Sequence, residues 1–168
     1  MILSKQAYLA ATADTADLRG QLWYTLENEG ADNEEVWSMK FNGNDFFNLP
    51  VVHLTEIKLI RAEAAAELAN TATAIQDLSD IRERAGLAAV PGGTSASELI
   101  LIARQERRLE MVCEGNRLHE LKRQATRDGS NILIRDAAWD CPGLVVQFPD
   151  IELSANPNLV ANEEGGCE

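Results

Sequence analysis

Glu106, Glu110 and Glu114 recur every four residues, with Arg104, Arg107, Arg108 and Arg117 set among them. Carboxylates so placed have the chemistry to give and take protons. Glycoside hydrolysis, however, needs two acids facing each other across a cleft, which acids stacked on one helix face do not do. Glutamate and arginine three and four residues apart on a helix pair with each other instead. Glu110, Glu114 and Arg117 are therefore expected to form a structural ion-pair ladder. His119-Glu120 opens like a metalloprotease helix, but Arg123 stands where the second histidine is required. His53 has no visible partner. Asp128, Ser130 and Asn131 offer oxygens without the twelve-residue calcium-loop pattern, and no GxxxxGK or GxGxxG cradles a phosphate. Cys113, Cys141 and Cys167 include no CxxC pair and are too few and scattered to predict a disulfide framework. Cys113 reads as a small core residue on an apolar helical face. With no nucleophile, metal set or cofactor loop, the chain reads as a non-enzyme without cofactor or metal.

The side chains best suited to a ligand are aromatic. A flat ring stacks on a sugar face, which makes Trp23, Tyr24, Trp37 and Trp139 the candidate binding residues. The competing use of the same rings is to fill gaps between helices and irregular segments. Charge narrows the partners further: 15 Lys plus Arg stand against 27 Asp plus Glu, a formal net charge of −12. Nucleic acid is thereby a poor partner, because binding it needs a basic footprint. Only residues 101–127 have a basic excess, and there the arginines alternate with glutamates, which suggests internal pairing.

These residues must be held by a scaffold, and 168 residues suffice for one domain, 1–168, with a core of its own. Residues 1–50 read as an irregular, aromatic-rich lead, with a short helix over 4–13, an extended segment over 36–41 and a turn at Asn42-Gly43-Asn44-Asp45. From Leu54 a helical period takes over. Leu54, Ile57, Ile60, Ala64 and Leu68 form one stripe, and Ala74, Ile75, Leu78, Ile81 and Ala85 a second. Gly86 stands where a left-handed helix end belongs, so 54–87 is predicted to be an antiparallel helical hairpin. Ser95 and Glu98 fit a capping box opening the Glu/Arg-rich helices of 95–127, interrupted by a bend at Gly115. Residues 128–168 read as an irregular tail with short strands over 132–134 and 144–148. No run is apolar enough to span a membrane, and the amino terminus shows no leader or lipid-accepting cysteine, so the chain itself is expected to be soluble.

Several blocks resemble the SusD/RagB family of outer-membrane nutrient-binding lipoproteins. Leu54-Thr55-Glu56-Ile57-Lys58-Leu59-Ile60-Arg61-Ala62-Glu63-Ala64 is similar to the family's "aEvyLirAEA" helix, and Ile81-Arg82-Glu83-Arg84-Ala85-Gly86-Leu87 to its "iRaRAGl" ending. Glu106-Arg107-Arg108-Leu109-Glu110, Glu114-Gly115-Asn116-Arg117 and Leu121-Lys122-Arg123 resemble "ERrrEL…EGhR…DLkR". Phe148-Pro149, Glu152 and Asn156-Pro157-Asn158-Leu159 resemble the closing segment. Asp17-Leu18-Arg19 and Lys40-Phe41 match upstream elements more weakly. The resemblance implies a mainly α, tetratricopeptide-like helical-repeat fold, with this chain as the C-terminal portion of a longer surface lipoprotein of the outer membrane. It implies non-enzymatic binding of oligosaccharide and its delivery to a TonB-dependent (SusC-like) transporter. The alternative is a helical-repeat protein-interaction module with no small-molecule ligand. By the resemblance, Glu56, Glu63, Arg82, Arg84, Glu106, Arg107, Glu110, Glu114 and Arg117 carry over as a structural ion-pair network and not as a ligand site. His53 replaces the family's usual arginine, and Leu118-His119-Glu120 its aromatic-Asp pair.

Overall fold

The computed structural model describes residues 2–41, 51–165 and 167. The expected turn at Asn42-Gly43-Asn44-Asp45 lies outside them. The chain is mainly helical and packs as two compact units, residues Met1–Glu114 and Gly115–Glu168.

The first unit opens with β1 (Ile2–Leu3), α1 (Lys5–Ala11), α2 (Leu18–Leu22), β2 (Tyr24–Glu27) and β3 (Glu35–Ser38). The lead expected to be irregular is thus largely regular. Its antiparallel sheet has the order β1-β3-β2, and its strands of two to four residues are too short to show a period of two in the sequence. Ser4 caps α1 by accepting from the Ala7 amide, and Asp17 caps α2 by accepting from that of Arg19.

The hairpin follows as α3 (Leu54–Glu67) and α4 (Thr71–Arg84). Asn70 caps α4 by accepting from the Thr73 amide, and Ala69 before it holds a left-handed backbone. Gly86 ends the pair with φ of +83°, where a Cβ would also lie 3.0 Å from the Ala16 carbonyl oxygen and 3.0 Å from Leu18. The Leu18 amide donates to the Ala85 carbonyl, so this helix end doubles as the anchor of the lead. Helix α5 (Ala96–Glu110) begins with the expected capping box of Ser95 and Glu98.

Helix α3 buries a different face from the one its large apolar residues mark. Leu59, Ala62, Ala65 and Ala66 are inside, packed with Ala74, Leu78 and Ile81 of α4 and Leu99 and Ala103 of α5. Leu54, Ile57, Ile60 and Leu68 are exposed, and so is Ala64. The alanines let α3 approach its neighbours closely, and that close packing fills the interior without large side chains. A second cluster joins Ala11, Tyr24, Val36 and Leu109, with Leu3, Tyr8, Trp23, Leu26 and Val112 packed against it. Helix α5 contributes to both clusters.

The second unit contains α6 (Asn116–Asp128), the two-residue strands β4 (Leu133–Ile134) and β5 (Ala137–Ala138), a 3₁₀ turn over Pro142–Leu144, and α7 (Asp150–Ala155). The first expected tail strand is present, whereas 144–148 forms none. Pro142 instead leads a tight turn whose Val145 amide donates to the Pro142 carbonyl. Cys141 and Cys167 are joined by a disulfide, a single bridge where three scattered cysteines predict no disulfide framework. Spacing alone does not reveal a single bridge between residues 26 apart. Gly143 is required beside it, since a Cβ there would lie 2.8 Å from Cys167 Sγ. Cys113 is half-buried in the turn after α5 with φ of +67°, not on a helical face.

Candidate functional site

The glutamates of α5 meet a partner far away in sequence. Arg19 is buried at the centre of three carboxylates. Its Nε and Nη2 donate to Asp17, and Nη1 donates to Glu106 at 2.7 Å and Glu110 at 3.0 Å. Arg82 of α4 donates to the other oxygen of Glu106 at 2.8 Å, and Arg84 to that of Glu110. Burial works against the Arg19 charge, but the Asp17 hydrogen bonds and the field of Glu106 outweigh it and hold the guanidinium above its ordinary range. Three buried carboxylates are thus matched by three arginines, which is how buried charge is tolerated.

The ladder on one helix is corrected accordingly. Helix α5 ends at Glu110, and Glu114 lies beyond it, held by Lys40 and by His53 Nε2 at 3.0 Å. Burial alone would raise the Glu114 carboxyl, but its hydrogen bonds with Lys40 and His53 outweigh this and hold it below the usual range. Lys40 also donates to the Glu110 carbonyl, neutralising the negative end of α5. Glu63 pairs with Arg104 at 2.9 Å and Glu56 with Arg107 at 3.7 Å. Arg117 lies in the first turn of α6, in the second unit. His119 is exposed, and Glu120 beside it is buried against Arg123 and Gln124.

Strand geometry separates the four candidate rings. Tyr24 pairs with Ser38, and Thr25 with Trp37, so Tyr24 and Trp37 point to opposite faces of the sheet. Trp37 is half-buried and donates from Nε1 to Glu35 at 3.1 Å. Trp23 is half-buried with the Lys40 ammonium 4.7 Å from its ring centroid, a cation–π contact. Trp139, in the second unit, lines a shallow hollow of about 290 Å³ with Thr126, Ser130 and Asn131. None of the four is fully exposed.

Tyr24 alone joins a larger concavity. It packs edge-to-face on Tyr8 with centroids 5.9 Å apart, and both line a hollow of about 490 Å³ between α1, α2 and β2. Its rim carries Thr12, Asp14, Thr15, Thr25 and Glu29. Asp14 and Glu29 have no cationic partner among the described residues. Local bonds set the rim: Thr12 Oγ1 donates to the Tyr8 carbonyl, the Ala16 amide to Asp14, and Gln21 to the Thr15 carbonyl. Gly20 lets α2 close on α1, since a Cβ there would stand 2.3 Å from the Ala11 carbonyl oxygen. Burial pushes the Tyr24 phenol up to about 12, so it stays a hydrogen-bond donor at neutral pH. Tyr8 escaped the sequence reading because one tyrosine in a short helix has no signature; only its place opposite Tyr24 marks it. Among the described residues, no group of three or more His, Cys, Asp or Glu side chains is arranged to hold a metal, and no helix is long and apolar enough to cross a membrane.

Residues 5–164 match the model of the SusD family, and the chain belongs to that family. SusD-family proteins are non-catalytic binding proteins. Among solved structures, a SusD superfamily protein of Bacteroides thetaiotaomicron VPI-5482 is 26% identical with a TM-score of 0.69, the match covering 95% of this chain and 38% of that one. A SusD superfamily protein of Bacteroides vulgatus ATCC 8482 is 24% identical with a TM-score of 0.67 over 95% of this chain and 38% of its own. A second protein of that organism, provisionally named for sugar binding, is 23% identical with a TM-score of 0.72 over 96% of this chain and 38% of its own. The chain therefore spans 38% of the length of these relatives. No curated protein matches it.

Proposed function

We propose that the chain is the C-terminal portion of a longer SusD-family lipoprotein, and that it binds oligosaccharide without chemical turnover for delivery to a TonB-dependent outer-membrane transporter. The observation that carries the binding reading is the concavity of Tyr8 and Tyr24. It combines aromatic surface with hydroxyls and carboxylates suited to a polyhydroxylated ligand. Trp139, with its polar hollow, offers a second, smaller contact in the other unit. The Cys141–Cys167 bond supports a site outside the cytoplasm, since such bonds persist in oxidising compartments.

Isothermal titration of the chain with a panel of neutral plant and host oligosaccharides tests this. At least one is expected to bind, and Tyr8→Ala is expected to weaken it tenfold or more with the fold unchanged by circular dichroism. Silence across the panel refutes binding by this portion. Binding unmoved by Tyr8→Ala places the ligand elsewhere. A specific observation also favours protein contact, the exposed apolar face of α3.

A further inference from the structure

The hollow of Tyr8 and Tyr24 carries charge of one sign. Among the described residues its wall holds Asp14, Asp17 and Glu29 and no lysine, arginine or histidine. Asp17 is spent on Arg19, whereas Asp14 and Glu29 are exposed carboxylates without a cationic partner. The cations of residues 2–41 are Lys5, Arg19 and Lys40. Each is already paired, Lys5 with Glu34, Arg19 with the buried carboxylates and Lys40 with Glu114. Glu27 and Asp32, exposed on the hairpin of β2 and β3, add to the negative field. No cation of this lead is left to receive an anion, and a concave wall of one sign draws in the opposite one.

The rings of the hollow favour the same charge, because an aromatic face attracts a cation through its quadrupole. Tyr24 lines the hollow and is only 8% exposed, yet its hydroxyl makes no hydrogen bond among the described residues. A buried polar group without a partner is uncommon in a finished fold, and a ligand in the hollow supplies one. Thr12, Thr15 and Thr25 place further hydroxyls around the rings, and Leu26 is the one aliphatic side chain on the wall among the described residues. Ring faces and hydroxyls suit a pyranose, whereas the side chains of a basic peptide would find little apolar wall to bury against. We infer that the hollow takes an amino-sugar unit, an oligosaccharide residue bearing a protonated amine. Asp14 and Glu29 receive the ammonium, and Tyr8 and Tyr24 receive the ring. This deepens, and rests on, the reading of the hollow as an oligosaccharide site. The same carboxylates reject uronate-bearing and sulfated sugars.

Three β-1,4-linked trisaccharides that differ only at C2 of each ring test this: those of glucose, glucosamine and N-acetylglucosamine. They are titrated calorimetrically into the chain at pH 6, where the free amine is protonated. The glucosamine trisaccharide is expected to bind at least tenfold more tightly than either neutral one, with the advantage shrinking in raised salt. Asp14→Asn combined with Glu29→Gln is expected to erase that advantage. Glu163→Gln combined with Glu164→Gln, which removes the same charge from the second unit, is expected to leave it intact. Trilysine, of the same net charge as the aminated sugar, is expected to bind at least tenfold more weakly than it. An advantage that survives Asp14→Asn with Glu29→Gln overturns the proposal, and so does trilysine binding as tightly as the sugar. A neutral sugar that binds through Tyr8 with no gain from the amine overturns the proposal alone. Silence of every sugar, aminated or neutral, overturns the binding reading with it.

Discussion

Arg19→Met removes the cation at the centre of the buried cluster while keeping an unbranched side chain in the same space. Asp17 then loses all three of its bonds to the guanidinium. Glu106 and Glu110 lose one each but keep Arg82 and Arg84. The damage is therefore concentrated on Asp17, which is 3% exposed and too deep for water to replace the guanidinium. Removing one partner from a buried ion pair costs roughly 3–5 kcal/mol, against a typical domain stability of about 5–15 kcal/mol. At roughly 2–4 °C per kcal/mol for a domain of this size, Tm is expected to fall by about 6–20 °C. Arg19→Lys keeps the charge but loses the planar fork that serves three acids together, and is expected to cost about half as much. Arg84→Ala, whose side chain is more than half exposed, is expected to cost about 1 kcal/mol or less. Urea and thermal unfolding followed by circular dichroism at pH 7 distinguish the three. If Arg19→Met costs under about 1 kcal/mol, or no more than Arg84→Ala, the cluster is not what holds the lead to α5.

Arg61→Ala strands Asp77, which is 1% exposed, and is expected to lower the urea midpoint more than Arg84→Ala does, because Glu110 keeps Arg19 whereas Asp77 loses its paired guanidinium. Glu114 has a carboxyl depressed below its unfolded value of 4.5, so its stabilising contribution is complete above that pH and lost as pH falls through the lower folded value. The stability gap between wild type and Glu114→Gln should accordingly close as pH falls below 4.5; a gap that widens there would contradict the assigned direction. Gly20→Ala forces a Cβ onto the backbone of α1 and is expected to cost about 1–3 kcal/mol and to loosen the Tyr8–Tyr24 contact, read from unfolding and near-ultraviolet circular dichroism. Cys141→Ser opens a loop closed by residues 26 apart, with an expected loss of about 3–4 kcal/mol from chain entropy. An equal Tm for wild type with and without reductant would show that the bond is idle.

What was legible in the sequence was local. The capping box of Ser95 and Glu98, the left-handed Gly86 and the hairpin of 54–87 depend on neighbours a few residues apart, and all are present. The stripe of Leu54, Ile57, Ile60, Ala64 and Leu68 was a real apolar face. Periodicity says that a helix has such a face, but not that its own chain covers it. Alanine on the other side of α3 carries little hydropathy signal, yet it is what packs. Arg19 and Glu106 lie 87 residues apart, and no spacing rule connects them. The concavity escaped for the same reason, because Tyr8 and Tyr24 meet only once α1 and the sheet are placed. The isolated Cys141–Cys167 pair offered no framework pattern to read.

The bond between Cys141 and Cys167 also imposes an order on the maturation of the chain. Synthesis delivers thiols from the amino end, so Cys113 and Cys141 both emerge before Cys167. An oxidant that joins thiols as they appear would couple Cys113 to Cys141 and leave the last cysteine stranded. The native pairing skips the first thiol, so it depends on timing: either residues 1–114 fold and seat Cys113 in its turn before Cys141 arrives, or a wrong bond is reopened by thiolate attack. Cys113 is therefore a competitor during biogenesis although it is a bystander in the finished fold. Replacing it with alanine would make oxidation in the order of emergence arrive at the native bond without help.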